Sequence, residues 1–217
     1  MPSEPSLEYK AILEWIQPGS SVLDLGCGDG ELLAYLVKER HVKAQGIEID
    51  EQAIYRCVAK GLSVFHEDID KGLSDYADQS FDYVILNQSF QQVKKPDRVL
   101  REALRVGKRV IVGLPNFAHY QARLRIFFRG RTPVTPSLPY EWHDTPNLHF
   151  LSISDFVEYC RQRNIKIEKA AFADKKRRIR ILPNLFGLTG IFLISSRDAS
   201  RESPEGGSGN TKDRTAV

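Results

Sequence analysis

The sequence predicts an α/β fold: a mostly parallel, seven-stranded sheet with helices on both faces. Three observations carry that expectation. From residue 21 onward short β-branched runs alternate with longer amphipathic ones, each connection is long enough for a crossover, and a glycine cluster closes the first run. The chain has 217 residues, one domain with extensions at roughly 150 residues per domain. Its 41% hydrophobic and 27% charged content is that of a globular protein.

Residues 22–25 form a first short apolar strand. Residues 31–40 place Leu32, Leu33, Leu36 and Val37 on one helical face. A second strand at 44–49 leads into a helix at 51–60, closed by Gly61 where helices commonly stop. Strands are expected at 62–65, 81–86 and 109–114, with a helix at 97–106 between the last two. The periodicity then changes. Residues 117–128 read as helical, whereas 129–150 hold Pro133, Pro136, Pro139 and Pro146 and follow no period. Loops of that length inside compact domains are usually functional, so 117–150 is taken as a lid-like insertion. Ser152 and Asp155 have capping-box spacing for a helix through 163. Two late strands, 165–172 and 190–195, flank a basic segment starting at Lys175. Residues 1–197 thus read as a single domain and 198–217, polar and without aromatic residues, as a disordered tail.

The net charge of +3 conceals a split. Residues 1–93 carry 7 basic and 16 acidic side chains, whereas 94–180 carry 20 basic and 8 acidic. An acidic half joined to a basic half is unlike the uniform coat of a nucleic-acid binder. Cys27, Cys57 and Cys160 are odd in number and form no CxxC pair, which argues against a disulfide scaffold and fits a reducing compartment. Glu4, Glu8 and Glu14 stand where a signal peptide needs an apolar run. The longest uncharged stretch, 181–196, is interrupted by Pro183 and glycines and is shorter than the ~20 residues of a membrane span. The expected location is the cytoplasm.

The strongest motif is Asp24-Leu25-Gly26-Cys27-Gly28-Asp29-Gly30 at the end of the first strand. Glycines there allow a sharp turn and close approach of a ligand to the backbone. A dinucleotide pyrophosphate needs positive potential at that point. Asp24, Asp29 and Glu31 surround it instead, with no Lys or Arg expected nearby. Such a loop suits a cationic or zwitterionic ligand, and S-adenosylmethionine carries both a sulfonium and an ammonium group. Glu48 ends the second strand 22 residues after Gly26, close to the interval of an acid that accepts from ribose hydroxyls. Asp50 is the competing candidate but reads better as the next helix's cap. Asp68 follows the third strand, as an adenine acceptor or a solvated loop acid, and Asn87 ends the fourth.

VLDLGCGDGELL, GIEID, HEDID and FDYVILNQS, in that order, resemble the class I S-adenosylmethionine-dependent methyltransferases over about residues 20–115. That resemblance implies a Rossmann-like class I methyltransferase fold. It implies Asp24, Gly26, Gly28 and Gly30 around the methionine part, Glu48 at the ribose, Asp68 and Ile69 at the adenine, and Asn87 beside the methyl. With Cys27 and Ile49 these make up the candidate set for binding S-adenosylmethionine or S-adenosylhomocysteine. PDRVLREALRVGKRVIVGLPNF and RGRTPVTPSLPYEWHDTPNLHFLSISDF further resemble the bacterial methionine-biosynthesis (MetW) family, and PYEWHDTPNLH is the most specific part. The family implies a role in methionine synthesis alongside a homoserine O-acyltransferase. The alternative is an active methyltransferase on an unidentified small molecule.

No catalytic residue stands out. His143 with Asp144 could form a base pair, but the flanking prolines favour a polar loop. His143 and His149 lack a third metal ligand. The acids around Cys27 are expected to raise its pKa and quench the thiol. Arg123, Arg125, Arg129, Arg131 and the cations of 175–180 offer either a solvated face or a protein-contact surface, with RNA disfavoured because aromatic interleaving is limited to Phe127 and Phe128.

Overall fold

A computed structural model describes residues 5–196; the tail at 198–217 lies outside them. Seven strands form one sheet, β1 (Ser21–Leu25), β2 (Lys43–Glu48), β3 (Ser63–His66), β4 (Phe81–Asn87), β5 (Gly107–Pro115), β6 (Ile165–Ala173) and β7 (Thr189–Ser196). Their order is β3-β2-β1-β4-β5-β7-β6. All neighbours pair in parallel except β7, which runs antiparallel to both β5 and β6. The chain winds outward from β1 to β3, then returns to β4 on the other side. That reversal opens a crevice at the carboxyl ends of β1 and β4, where open α/β sheets bind ligands.

The helices are α1 (Leu7–Trp15), α2 (Glu31–Arg40), α3 (Glu51–Ala59), α4 (Pro96–Val106), α5 (Tyr120–Arg129), α6 (Ile153–Gln162) and the single turn α7 (Pro183–Phe186). Alternating strand residues feed two cores. Val22, Tyr83, Ile85, Ile111, Ile191 and Leu193 face α1 and α2. Leu23, Leu25, Val84, Leu86, Val112 and Phe192 face α4 and α6. This two-sided burial is why the strands read as near-continuous apolar runs. The anticipated elements all form, with ends shifted by up to three residues. Asp50 caps α3 by accepting from Gln52 N at 2.9 Å, and Ser152 and Asp155 complete a capping box on α6.

Helix α1 was not anticipated. Ser6 caps it, and Ile12 and Trp15 are buried against α2 and the sheet. Helix α5 begins at residue 120 rather than 117, because the His119 ring caps it by accepting from Gln121 N. The basic segment at 175–180 forms a tight turn folded back onto β6, with Asp174 N donating to Arg177 O and Ile179 N to Phe172 O. Arg178 pairs with Glu14 of α1, so one of these cations ties the fold together. Among the described residues no helix is long and apolar enough to cross a membrane.

Asn116, fully buried just past β5, joins three late elements. Its amide donates to Gly187 O at 2.8 Å and Asn184 O at 3.1 Å, and its Oδ1 accepts from Ala118 N at 3.1 Å and Ile153 N at 3.4 Å. Asn116→Ala strands buried donors and acceptors and is expected to cost about 2–3 kcal/mol in urea denaturation. A loss below about 0.5 kcal/mol would show that these elements hold without it.

Candidate functional site

The crevice is a cleft of about 1340 Å³ at the carboxyl ends of β1, β2 and β4. Its floor is the glycine loop. Gly26, Gly28 and Gly30 have φ of +75°, +57° and +74°, a region that disfavours side chains. A Cβ at Gly26 would lie 2.8 Å from Ser89 Cβ, so the loop sits hard against the segment after β4. Gly26 N and Cys27 N both donate to Ile47 O, at 2.8 and 3.1 Å, which binds the loop to β2.

Glu48 secures the loop from the neighbouring strand. Its Oε2 accepts from Gly28 N at 2.7 Å, and its Oε1 from Ile49 N at 2.8 Å and Asp50 N at 3.0 Å. The carboxylate is therefore engaged by three backbone donors as well as facing the cleft, a role that its spacing alone did not disclose. Asp68 caps the 3₁₀ turn Ile69–Lys71 by accepting from Asp70 N at 2.9 Å. Asp70 in turn accepts from Lys94 N and Lys95 N, at 3.0 Å each, and so joins the loop after β3 to the one after β4.

Of the ten candidate residues, Gly26, Cys27, Gly28, Glu48, Ile49, Asp68, Ile69 and Asn87 line the cleft. Asp24 and Gly30 do not. Asp24 lies buried beneath the loop, 3% exposed, and its Oδ1 has no partner among the described residues. Burial, and then the nearby Glu48 charge, push its carboxyl up to about 7. Gly30 is the buried N-cap of α2, where a Cβ would meet Leu62 and Cys57. Asn87 Oδ1 is likewise buried and unpartnered. Burial raises the Cys27 thiol pKa, with Asp24, Cys57 and Glu48 adding to the rise, so the expected quenching holds.

One expectation needs correction. Lys60, at the end of α3, does reach the glycine loop, with Nζ 2.6 Å from Asp29 O and 3.6 Å from its carboxylate. The two are 31 residues apart, so local sequence could not pair them. The acidic balance survives: eight carboxylates line the cleft against three lysines.

Sequence reasoning missed the far wall. Pro5, Ser6, Glu8 and Tyr9 of the α1 region line the cleft, whereas no residue of 117–150 does. Burial raises the Glu8 carboxyl pKa despite hydrogen bonds from Thr189 and Gln88, and burial with nearby carboxylates pushes Tyr9 up to about 12. The only trace in the sequence is Ser6 ahead of the Ile12, Trp15 and Ile16 spacing. Within 117–150, His149 Nε2 lies 3.0 Å from Val93 O beside the cleft, and His143 and Asp144 are exposed and form no pair among the described residues.

Sheet order, glycine loop and acidic crevice together define a protein with the class I S-adenosylmethionine-dependent methyltransferase fold. A methyltransferase of that kind from Archaeoglobus fulgidus superposes with a TM-score of 0.64 at 17% identity, covering 85% of this chain and 90% of that one. The cyclase SpnF superposes with a TM-score of 0.61 at 17% identity, covering 87% and 80% respectively. The fold is common to both, so by itself it does not fix the chemistry. The chain belongs to the methionine biosynthesis protein MetW family, which it matches over residues 6–194. A relative in Rhodopirellula baltica, the bifunctional methionine biosynthesis protein MetXA/MetW, is 37% identical across 85% of this chain and 31% of its own length. The chain spans about a third of the length of the curated relatives it matches.

Proposed function

We propose that this chain binds S-adenosylmethionine or S-adenosylhomocysteine in the acidic cleft and acts in cytoplasmic methionine biosynthesis together with a homoserine O-acyltransferase. The observation that carries the cofactor is the cleft itself, floored by Gly26 and Gly28 and lined by eight carboxylates against three lysines. Glycine backbone at the floor leaves room for such a ligand, and the excess of carboxylates disfavours phosphate. Glu48 and Asp68 are the acceptors for ribose and adenine, with Ile49 and Ile69 as apolar walls. The bound cofactor would supply an activated methyl group; this chain's residues bind and orient it.

The partnership is supported by the Rhodopirellula relative, whose name joins MetXA and MetW in one protein of which this chain's likeness spans 31%. Fusion of two functions in one polypeptide keeps them at high effective concentration. Under this reading the cofactor, made from methionine, reports pathway status to the acyl-transfer step. The second reading, methyl transfer to a small molecule, is favoured by the part-buried Glu8 and Tyr9 on the far wall, which could position an acceptor. Label transferred from the cofactor to a cell metabolite extract would establish it.

Calorimetry with the intact chain tests the cofactor directly. Glu48→Ala is expected to weaken S-adenosylmethionine binding by about 1–3 kcal/mol through lost charge-assisted hydrogen bonds and a released glycine loop. Absence of binding by the wild type would overturn the reading.

A further inference from the structure

We propose that helix α5 and the groove beside it form the surface on which the acyltransferase docks, through a carboxylate-rimmed apolar protrusion of that partner. The inference rests on the partnership above and adds the face and its chemistry.

Helix α5 stands off the body of the fold. Ala122 alone among its ten residues is buried, while Phe127 and Phe128 are 81% and 74% exposed and Leu124 is half-exposed. Two adjacent exposed phenylalanines on a helix keep a large apolar area in water, a mark of an interaction site. Arg123 and Phe127, like Leu124 and Phe128, are four residues apart and so continue one another along the helix. Arg123 also lines a largely apolar groove of about 540 Å³ formed with Ile153, Val157, Phe172, Leu182 and Leu185, whose one carboxylate, Glu158, is paired with Arg161. Tyr120 reaches the same region, its ring 6.1 Å from that of Phe186. A projecting ridge and a socket thus share one face.

Charge and shape select the occupant. No carboxylate occurs between Glu102 and Glu141, a span that includes Arg123, Arg125, Arg129 and Arg131. Arg129 and Arg131 form no ion pair among the described residues. Residues 117–150 contain four arginines and no lysine. Arginine with exposed aromatics is the composition of protein interfaces, from which lysine is depleted. A lipid surface cannot fill a concave groove, and the exposed aromatics on which RNA bases would stack, Phe127 and Phe128, lie outside this one. A folded, acidic partner satisfies ridge, socket and charge together. No residue of this face lines the cofactor cleft, so docking leaves the cleft accessible.

The test measures binding of the purified homoserine O-acyltransferase to the intact chain by interferometry, with sedimentation on phosphatidylglycerol vesicles in parallel. The variants are Phe127→Ser with Phe128→Ser, and Arg129→Glu with Arg131→Glu. All four side chains are exposed, so fold and S-adenosylmethionine binding are expected to be unchanged. Each pair is expected to weaken acyltransferase binding about tenfold or more. Binding by the variants equal to wild type would overturn the docking face and leave the partnership standing. No binding by the wild type would overturn the partnership and the face with it. Vesicle binding abolished by the variants while acyltransferase binding persists would assign the face to a lipid surface instead.

Discussion

Asp24→Asn is expected to remove a pH-dependent destabilisation of about 4 kcal/mol that the native chain acquires between about pH 4 and pH 8. The Asp24 carboxyl is buried, and burial followed by the Glu48 charge raises it from 3.8 to about 7. Below pH 3.8 folded and unfolded chains are both protonated there and the group costs nothing. As pH rises, the unfolded chain ionises first while the folded chain keeps its proton, so stability falls until the folded carboxyl has also ionised near pH 7. Asparagine has no such titration. Its stability difference from the native chain should therefore grow by about 4 kcal/mol from pH 4 to pH 8, read from denaturation curves at both. Curves that run parallel across this range would refute the buried, elevated carboxyl. A cationic ligand above Asp24 would favour its ionised form. Cofactor binding near pH 6 should then release a proton, seen as a calorimetric enthalpy that changes with buffer, and Asp24→Asn should abolish that dependence.

Gly113→Ala is expected to lower S-adenosylmethionine affinity on the order of a hundredfold while leaving most of the fold's stability in place. Gly113 lies on β5, paired in register with Asn87. A Cβ there would sit 2.1 Å from Asn87 Oδ1. The Asn87 side chain rests in the space that the missing Cβ leaves, its oxygen buried there while the residue lines the cleft. Alanine suits an ordinary strand backbone, so the damage falls on the position of Asn87, not on β5 itself. Calorimetry of the variant beside Asn87→Ala checks this: similar losses for the two would show that Gly113 acts through Asn87. Native affinity in Gly113→Ala would show that the asparagine is not needed in its observed place.

The legibility of this chain divides along a physical line. Asp50 as the cap of α3, and Gly26 and Gly28 as the turn of the loop, were readable because each acts within a few residues of a strand end, where backbone geometry and side-chain chemistry are set locally. That Gly30 is the buried N-cap of α2 and that Glu48 also holds the loop by its backbone were not. Strand and helix order was readable because two-sided burial writes apolar runs and 3.6-residue periods directly into the sequence. Lys60 beside Asp29 was not readable, nor were Gly113 beneath Asn87 and the α1 wall. Each pairs residues that only the winding of the sheet brings together. The lid expected at 117–150 was inferred from prolines and length, which mark an irregular segment and do not say which surface it covers.

The sequence by itself therefore determined the α/β architecture, the acidic glycine loop with Glu48 at the end of the neighbouring strand, and the basic character of the later half. Local rules govern all three: periodicity, turn chemistry and net charge. Only the tertiary structure decided that Asp24 lies buried beneath the loop, not in the cleft, and that α1 walls the cleft. It alone separated the arginine-rich helix α5 from the acidic cleft. Burial and proximity depend on which strands become neighbours, and the order β3-β2-β1-β4-β5-β7-β6 is not written in any single stretch of the chain.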